Sequence, residues 1–419
     1  MSPLDAAAAG RLHAFLLEAG RALTLAGTAV SEVQERLTRI AEHNGAPGAR
    51  VVVLPTTLIV SLGAEERATI EAIPQLTGAL RLDQISALYV ILEKAERGDA
   101  DLVQGLLDLH RIRTMKPRYN RLVTVIGYMV MTVGLCLILQ PTPLDVAVAA
   151  IFGVLVGVIV VFSHGRHTLS VLAPIICAIL VSALTFEAVK RGIADPSLRT
   201  LIAPLVTFLP GGVLTTATVE LASGEMVAGA SRMVFGSLQM VLLAFGIVAG
   251  VEIVGLPRPD LVGDAQANML GWWAPWLGVI LFGVAVSVFR SAPRGALPWL
   301  LLVLLVAWVG QLIGEELVGS EASGFVGALV MTPVALAVAA LPNGPPSQVT
   351  FLPAFWLLVP GAIGLISVTE MVSNPASASV GDLVQPIAGI LGIALGVLCG
   401  VSIYRGVTTA PRRLLRNRG

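Results

Sequence analysis

The sequence is short of charge. Only 13% of its 419 residues are Asp, Glu, Lys or Arg, against roughly a quarter in an ordinary soluble domain. A soluble protein of this length would not stay dispersed with so few surface charges. Acidic and basic residues balance at 27 each, so no positive field points to nucleic acid. Cysteine is scarce as well. Cys136, Cys177 and Cys399 all lie in apolar runs, and no CxxC or HExxH spacing occurs. Neither a disulfide nor a metal nor another cofactor is expected. No GxxxxGK[ST] loop is present to cradle nucleotide phosphates, and no GxSxG elbow to carry a nucleophile; both absences argue against ATP drive and against an enzyme.

Apolar residues fill the space that charge leaves. They make up 55% of the chain, with a mean hydropathy of +0.84. A helix needs about 20 apolar residues to cross a hydrocarbon layer of about 30 Å. Runs of that kind fall near 121–139, 143–162, 168–189, 199–219, 229–254, 272–290, 296–317, 321–341, 349–371 and 383–405. The expected fold is an all-α polytopic membrane protein of about ten transmembrane helices, preceded by a small cytoplasmic α+β domain. The expected divisions are 1–118 for that domain, 119–256 for a first membrane half and 270–408 for a second.

Residues 1–118 differ from the rest in carrying frequent charges. Arg11, Glu18 and Arg21 interrupt the first apolar stretch, so it does not read as a secretory leader. Leu12 to Ala26 and Glu32 to His43 have helical spacing, with Ser31 placed to cap the second helix and Asn44-Gly45 to end it. Val51 to Leu54 and Thr57 to Leu62 read as strands split by Pro55, and Gln84 to Arg97 and Asp101 to Arg111 as helices.

Orientation follows the basic flanks. Arg111, Arg113, Lys116, Arg118 and Arg121 precede the first run, and Arg405, Arg412, Arg413, Arg416 and Arg418 follow the last. Both termini are therefore expected in the cytoplasm, with an even number of spans, in the inner (plasma) membrane. Lys190, Arg191 and Arg199 fall on the wrong side under this scheme.

Two segments match without gaps at an offset of 150 residues. Leu209-Pro210-Gly211-Gly212 aligns with Val359-Pro360-Gly361-Ala362; Glu220 meets Glu370, Ser223 meets Ser373, Gly246 meets Gly396 and Gly250 meets Gly400. Two halves of five spans each are expected. An odd number per half inverts the second, as in many secondary transporters.

Pro210-Gly211 with Leu214, Ala217, Glu220-Leu221, Gly224, Gly229 and Arg232 resembles the Pro-Gly signature of the bacterial threonine/serine exporter family. Leu16 to Gly20, Gly27 to Val30, Val33 to Gly45 and the Pro55-Thr56 region are similar to that family's opening, and Phe355 to Glu370 to its smaller partner domain. The chain looks like the fused, ten-span form. The resemblance implies export of L-threonine and L-serine from the cytoplasm, driven by the proton motive force. Implied partners are an amino-acid substrate, protons and the lipid bilayer; self-association into a homo-oligomer stays open.

Within this frame a few residues could carry chemistry. Proline followed by glycine breaks a helix, and the N-terminus of the second piece attracts a carboxylate, which an amino acid supplies. Pro210, Gly211, Gly212, Thr215 and Thr216, with Pro360 and Gly361, are the expected substrate-binding residues. A kink that only shapes packing is the alternative. Membrane carboxylates are costly unless paired or wet and often carry protons, so Glu220 and Glu370 are the expected coupling groups. Interfacial helix ends would explain them equally. Glu187 is expected to pair with Lys190, and Trp272, Trp273 and Trp276 to sit at the interface. Transport of another small metabolite, and a membrane-anchored sensor, are the competing functions.

Overall fold

The computed structural model describes residues 5–63, 69–72, 80–139, 142–193, 198–255, 269–319, 322–358, 365 and 380–416. Two compact units emerge. The first contains residues 1–118 together with 216–233, and the second contains 119–215 and 234–419.

The first unit begins with helices α1 (Ala6–Leu25) and α2 (Val30–His43). Val33, Leu37, Ile40 and Ala41 of α2 recur at helical spacing and are buried, which is the apolar stripe that drives such a helix onto a core. Strands β1 (Arg50–Leu54) and β2 (Thr57–Ser61) form a hairpin across Pro55-Thr56, with Val53 opposite Leu58 and Val51 opposite Val60. Those four side chains all face inward, as the two-residue period of a strand requires. A third strand, β3 (Thr69–Ala72), pairs antiparallel with β2. The sequence does not announce it, because it is four residues long and mostly exposed. Helices α3 (Leu82–Glu96) and α4 (Leu102–Thr114) complete the layer. Phe15, Leu16, Leu23, Leu37, Ile40, Leu58, Leu82 and Ile85 make a fully buried core. Burial of one such side chain is worth about 1.5–3 kcal/mol.

Polar contacts order the α2 surface. Arg36 bridges Glu32 at 3.1 Å and Glu96 at 2.7 Å, and lies 4.6 Å over the Tyr89 ring. Burial, helped by the Glu32 carboxylate nearby, pushes the Tyr89 phenol above its ordinary range.

The second unit is a helical membrane bundle. Its helices are α5 (Arg121–Ile138), α6 (Pro143–Ser163), α7 (His167–Lys190), α8 (Leu198–Leu205), α9 (Gly211–Ala222), α10 (Met226–Val254), α11 (Trp273–Phe289), α12 (Leu297–Val318), α13 (Ser323–Ala339), α14 (Ser347–Leu357) and α15 (Val380–Arg416). Parts of α9 and α10 belong to the first unit. Among the described residues six helices are long and apolar enough to cross a membrane, namely α5, α6, α7, α10, α12 and α15, and α8 with α9 makes a seventh if that bent pair is one span. Helices α11 and α13 are apolar but only 17 residues long. Of the ten expected spans, six or seven reach spanning length among the described residues: α11 and α13 stop at 17 residues, and part of the run 349–371 lies outside those residues. The chain is a multi-pass membrane protein.

Small residues set the packing of the bundle. A side chain at Gly246 of α10 would meet Ala178 and the Ile175 carbonyl of α7, and one at Gly250 would meet Ser182 and the Ile179 carbonyl. A side chain at Gly396 of α15 would meet Ala328 and the Phe325 carbonyl of α13, and one at Gly400 would meet Thr332 and the Leu329 carbonyl. Every residue in the second set lies 150 positions beyond its counterpart in the first. The pairings α6 with α8 and α7 with α8 likewise recur as α12 with α14 and α13 with α14. Helices α5 and α11 cross antiparallel: a side chain at Gly127 would meet Val288, and one at Gly134 would meet the Phe282 N–H and the Gly278 carbonyl.

Helix ends follow local chemistry. Thr142 and Asp145 cap α6 reciprocally, so Asp145 marks a helix start as its sequence position suggested. Glu187 pairs with Arg191 at 2.7 Å instead of with Lys190, whose ammonium donates to the Val254 carbonyl at 2.8 Å. The spacing of four residues lets Glu187 reach Arg191 along one helix face. Trp272, Trp273 and Trp276 are all exposed. Cys136 and Cys177 are buried thiols and Cys399 is exposed.

Candidate functional site

The Pro-Gly segment interrupts a helix where the residues require it. Helix α8 tightens into a 3-10 turn at Val206–Phe208, Leu209 and Pro210 leave helical geometry, and α9 starts at Gly211. The pieces on either side are bent by 50°. Pro210 has no N–H to continue the ladder. The first regular bond of α9 runs from the Leu214 N–H to the Pro210 carbonyl, so the N–H groups of Gly211, Gly212 and Val213 precede it.

Two side chains brace this break from within the bundle. The Tyr128 hydroxyl of α5 donates to the Pro204 carbonyl at 2.8 Å and lies 2.8 Å from the Thr207 hydroxyl. The Gln239 amide of α10 donates to the Phe208 carbonyl at 2.8 Å. Carbonyls freed by the irregular backbone are thereby satisfied, as a lipid-embedded chain demands. Neither brace is marked by a motif in the sequence. A lone tyrosine and a lone glutamine inside apolar runs were the available signal.

Pro210 and Gly211 are buried at the break, and Gly212 and Thr216 are half-buried. Thr215 is buried one turn into α9, and its hydroxyl has no hydrogen-bond partner among the described residues. Other threonines of the bundle behave differently: Thr132, Thr185 and Thr332 each donate to the carbonyl four residues back. Pro360, Gly361 and Glu370 lie outside the described residues.

Glu220 sits in the first unit, near the end of α9, and is completely buried. Its Oε1 accepts the backbone N–H of Val30 at 3.0 Å. Val30 opens α2, and Ala29 before it has no side chain that could cap. Sequence position gave the capping role to Ser31. The structure gives it to Glu220, a carboxylate 190 residues further on, whose charge also suits a helix N-terminus. The other carboxylate oxygen lies 3.1 Å from Arg232 Nε. That N–H is not directed at the oxygen, so the contact is an ion pair and not an aligned hydrogen bond. Arg232 Nη2 is 3.5 Å from the Thr28 carbonyl. Gly224, at φ 86°, ends α9 in the left-handed region, with the Glu225 N–H returning to the Glu220 carbonyl. Gly229 then lets α10 approach the Ala217 carbonyl and Leu221. This hairpin brings Arg232 back to Glu220.

The chain matches the family described as "Putative threonine/serine exporter" over residues 14–254, more than half of its length. It is 22% identical over 389 residues to "Pheromone-regulated membrane protein 10" of Debaryomyces hansenii, covering 87% of this chain and 37% of that one. The Candida glabrata protein of the same name is 23% identical over 320 residues, 70% of this chain and 38% of that one. The Eremothecium gossypii protein is 22% identical over 411 residues, 92% of this chain and 53% of that one. The chain thus spans between about a third and a half of the length of these curated relatives. No solved structure matches it. With its N-terminal unit and its Pro-Gly break both inside the matched region, the chain belongs to the threonine/serine exporter family.

Proposed function

We propose that the protein is a secondary transporter that exports small hydroxy amino acids, L-threonine and L-serine, from the cytoplasm in exchange for protons. Family membership supports the substrate class. The observation that carries a transport role is the broken span at Leu209–Pro210. Discontinuous helices at mid-membrane present the N-terminus of one piece to an anionic group of the substrate. Gly211, Gly212, Thr215 and Thr216 would hold the amino acid's carboxylate and its nearby polar atoms, with Pro210 fixing the break. Pro360 and Gly361 would play the same part in the second half.

The proposal takes the membrane region as ten spans in two inverted five-helix halves in the plasma membrane, with both termini and the N-terminal unit cytoplasmic. Supporting it are the contacts that recur at 150 residues and the antiparallel meeting of α5 with α11. A two-fold axis in the membrane plane requires equivalent helices at its centre to meet that way.

Glu220 is the proposed coupling carboxylate and Arg232 its counter-charge, with Glu370 in the corresponding role of the second half. A guanidinium beside a carboxylate favours the carboxylate's charged form. A movement of α9 that separates the two would let Glu220 take a proton, so the two states differ in protonation as coupling demands. Substrate identity is tested in inverted membrane vesicles with labelled threonine, serine and unrelated metabolites. Uptake of the two hydroxy amino acids above the others is expected; equal indifference to all amino acids would contradict the reading.

A further inference from the structure

Helix α12 carries two polar side chains that the mechanism above does not use. Trp308 is the twelfth of the 22 residues in Leu297–Val318, and Gln311 follows three residues later. A spacing of three places both on one helix face. The indole Nε1 of Trp308 and Oε1 of Gln311 are buried, and neither has a hydrogen-bond partner among the described residues. Trp308 as a whole is 9% exposed. Tryptophan is common at the bilayer surface, where its N–H reaches water. Trp308 lies about 16 Å from either end of its helix at 1.5 Å per residue, so that explanation does not apply.

Packing does not explain the pair either. Positions 158 and 161 of α6, 150 residues earlier, are both valine, and every residue from 157 to 162 is apolar. An equivalent helix is built there without polar groups. Buried donors and acceptors without partners are rare and costly in a finished structure. Their place in the bundle is specific. Gly327 of α13 has no side chain, and the space beside it is shared by Gln311 Cβ, the Ala307 carbonyl and Leu358 Cδ2. Leu358 caps α14 immediately ahead of Val359-Pro360-Gly361.

We infer that Trp308 and Gln311 form a subsite that recognises the side-chain hydroxyl of the transported amino acid. A hydroxyl both donates and accepts. The indole N–H can only donate and the glutamine oxygen can only accept, so the pair complements a hydroxyl and leaves a methyl group unmatched. Sites of that design discriminate strongly against the analogue that lacks the hydroxyl, because the protein's own polar groups are then stranded. This inference rests on the transport reading for its substrate and adds to it the residues that select that substrate.

The test uses the full chain in proteoliposomes with L-serine competing against L-alanine, and in detergent with serine-induced thermal shift as a second readout. The wild type should prefer serine. Trp308→Phe and Gln311→Leu should each lower the serine-to-alanine preference about tenfold, with alanine flux kept. Both variants should be at least as thermostable as the wild type without ligand, since each removes a buried polar group that has no partner among the described residues. Unchanged selectivity in both variants, or equal loss of serine and alanine flux, would overturn the subsite while leaving the transport reading standing. If the wild type moves no amino acid, the transport reading fails. The subsite then stands if serine still raises the wild-type melting temperature and Gln311→Leu abolishes that rise, and falls if serine has no effect.

Discussion

Gly246 and Gly250 of α10 meet α7 through the same atoms by which Gly396 and Gly400 of α15 meet α13. Polar residues follow that rule only in part: Ser182 corresponds to Thr332 and Glu220 to Glu370, but others differ. Tyr128 and Gln239 brace the first break, and glycines occupy the corresponding positions 278 and 389. Trp308 and Gln311 stand where the earlier set has valines, and position 382, which corresponds to Arg232, is aspartate. Small residues that allow close backbone approach carry the shared architecture. The polar residues distinguish the two sets, and there the functional differences should be sought.

Removing one partner of the buried ion pair should have the largest effect. Arg232→Ala leaves Glu220 buried without its counter-charge, so the carboxylate must either stay charged in the interior or take up a proton to remain there, at a cost of up to about 3–5 kcal/mol. Chemical denaturation followed through the N-terminal unit should show the loss, and the double variant Glu220→Gln with Arg232→Gln should recover most of it. A fully tolerated Arg232→Ala would mean the pair does not hold the unit.

Next in size are the glycine contacts. A Cβ at Gly250 would sit 2.7 Å from the Ile179 carbonyl, and one at Gly400 would sit 3.0 Å from the Leu329 carbonyl. Gly250→Leu and Gly400→Leu should each cost about 1–3 kcal/mol through overpacking, read as lower melting temperature in detergent. Similar losses support equivalence of the two helix pairs, and a loss confined to one would break it. Smaller again is Tyr128→Phe, which strands the Pro204 carbonyl for about 1–2 kcal/mol. It should also slow transport, whereas Gly278, in the corresponding place, has no brace to lose.

The smallest expected effect is alkaline. Tyr89 has its phenol raised by burial. The unfolded chain releases that proton first, near pH 10, so the stabilisation is present below that pH and is lost as pH rises toward the folded value. Tyr89→Phe should flatten this alkaline decline in a pH series of melting curves.

Local chemistry made some of this legible in advance. Pro210 cannot donate, so the break could be read from two adjacent letters. Asp145 three residues after Thr142 spells a capping box. Long-range polar partners left no such mark. Ser31 looks like the cap of α2 by position, yet the N–H goes to Glu220 across 190 residues. Arg232 stood in the family signature, but its pairing with Glu220 depends on the tight return at Gly224 and Gly229. Strand β3 leaves no mark in the sequence, because four mostly exposed residues show no alternation.

Proton coupling is tested most directly with inside-out vesicles made acidic inside, which mimic the physiological gradient for an exporter. Labelled L-threonine should concentrate in the lumen above its outside level and run out when a protonophore is added. The Glu220→Gln, Arg232→Gln double variant should still exchange threonine across the membrane but no longer respond to the gradient. Threonine flux that is the same with and without the pH difference in the wild type would contradict proton exchange.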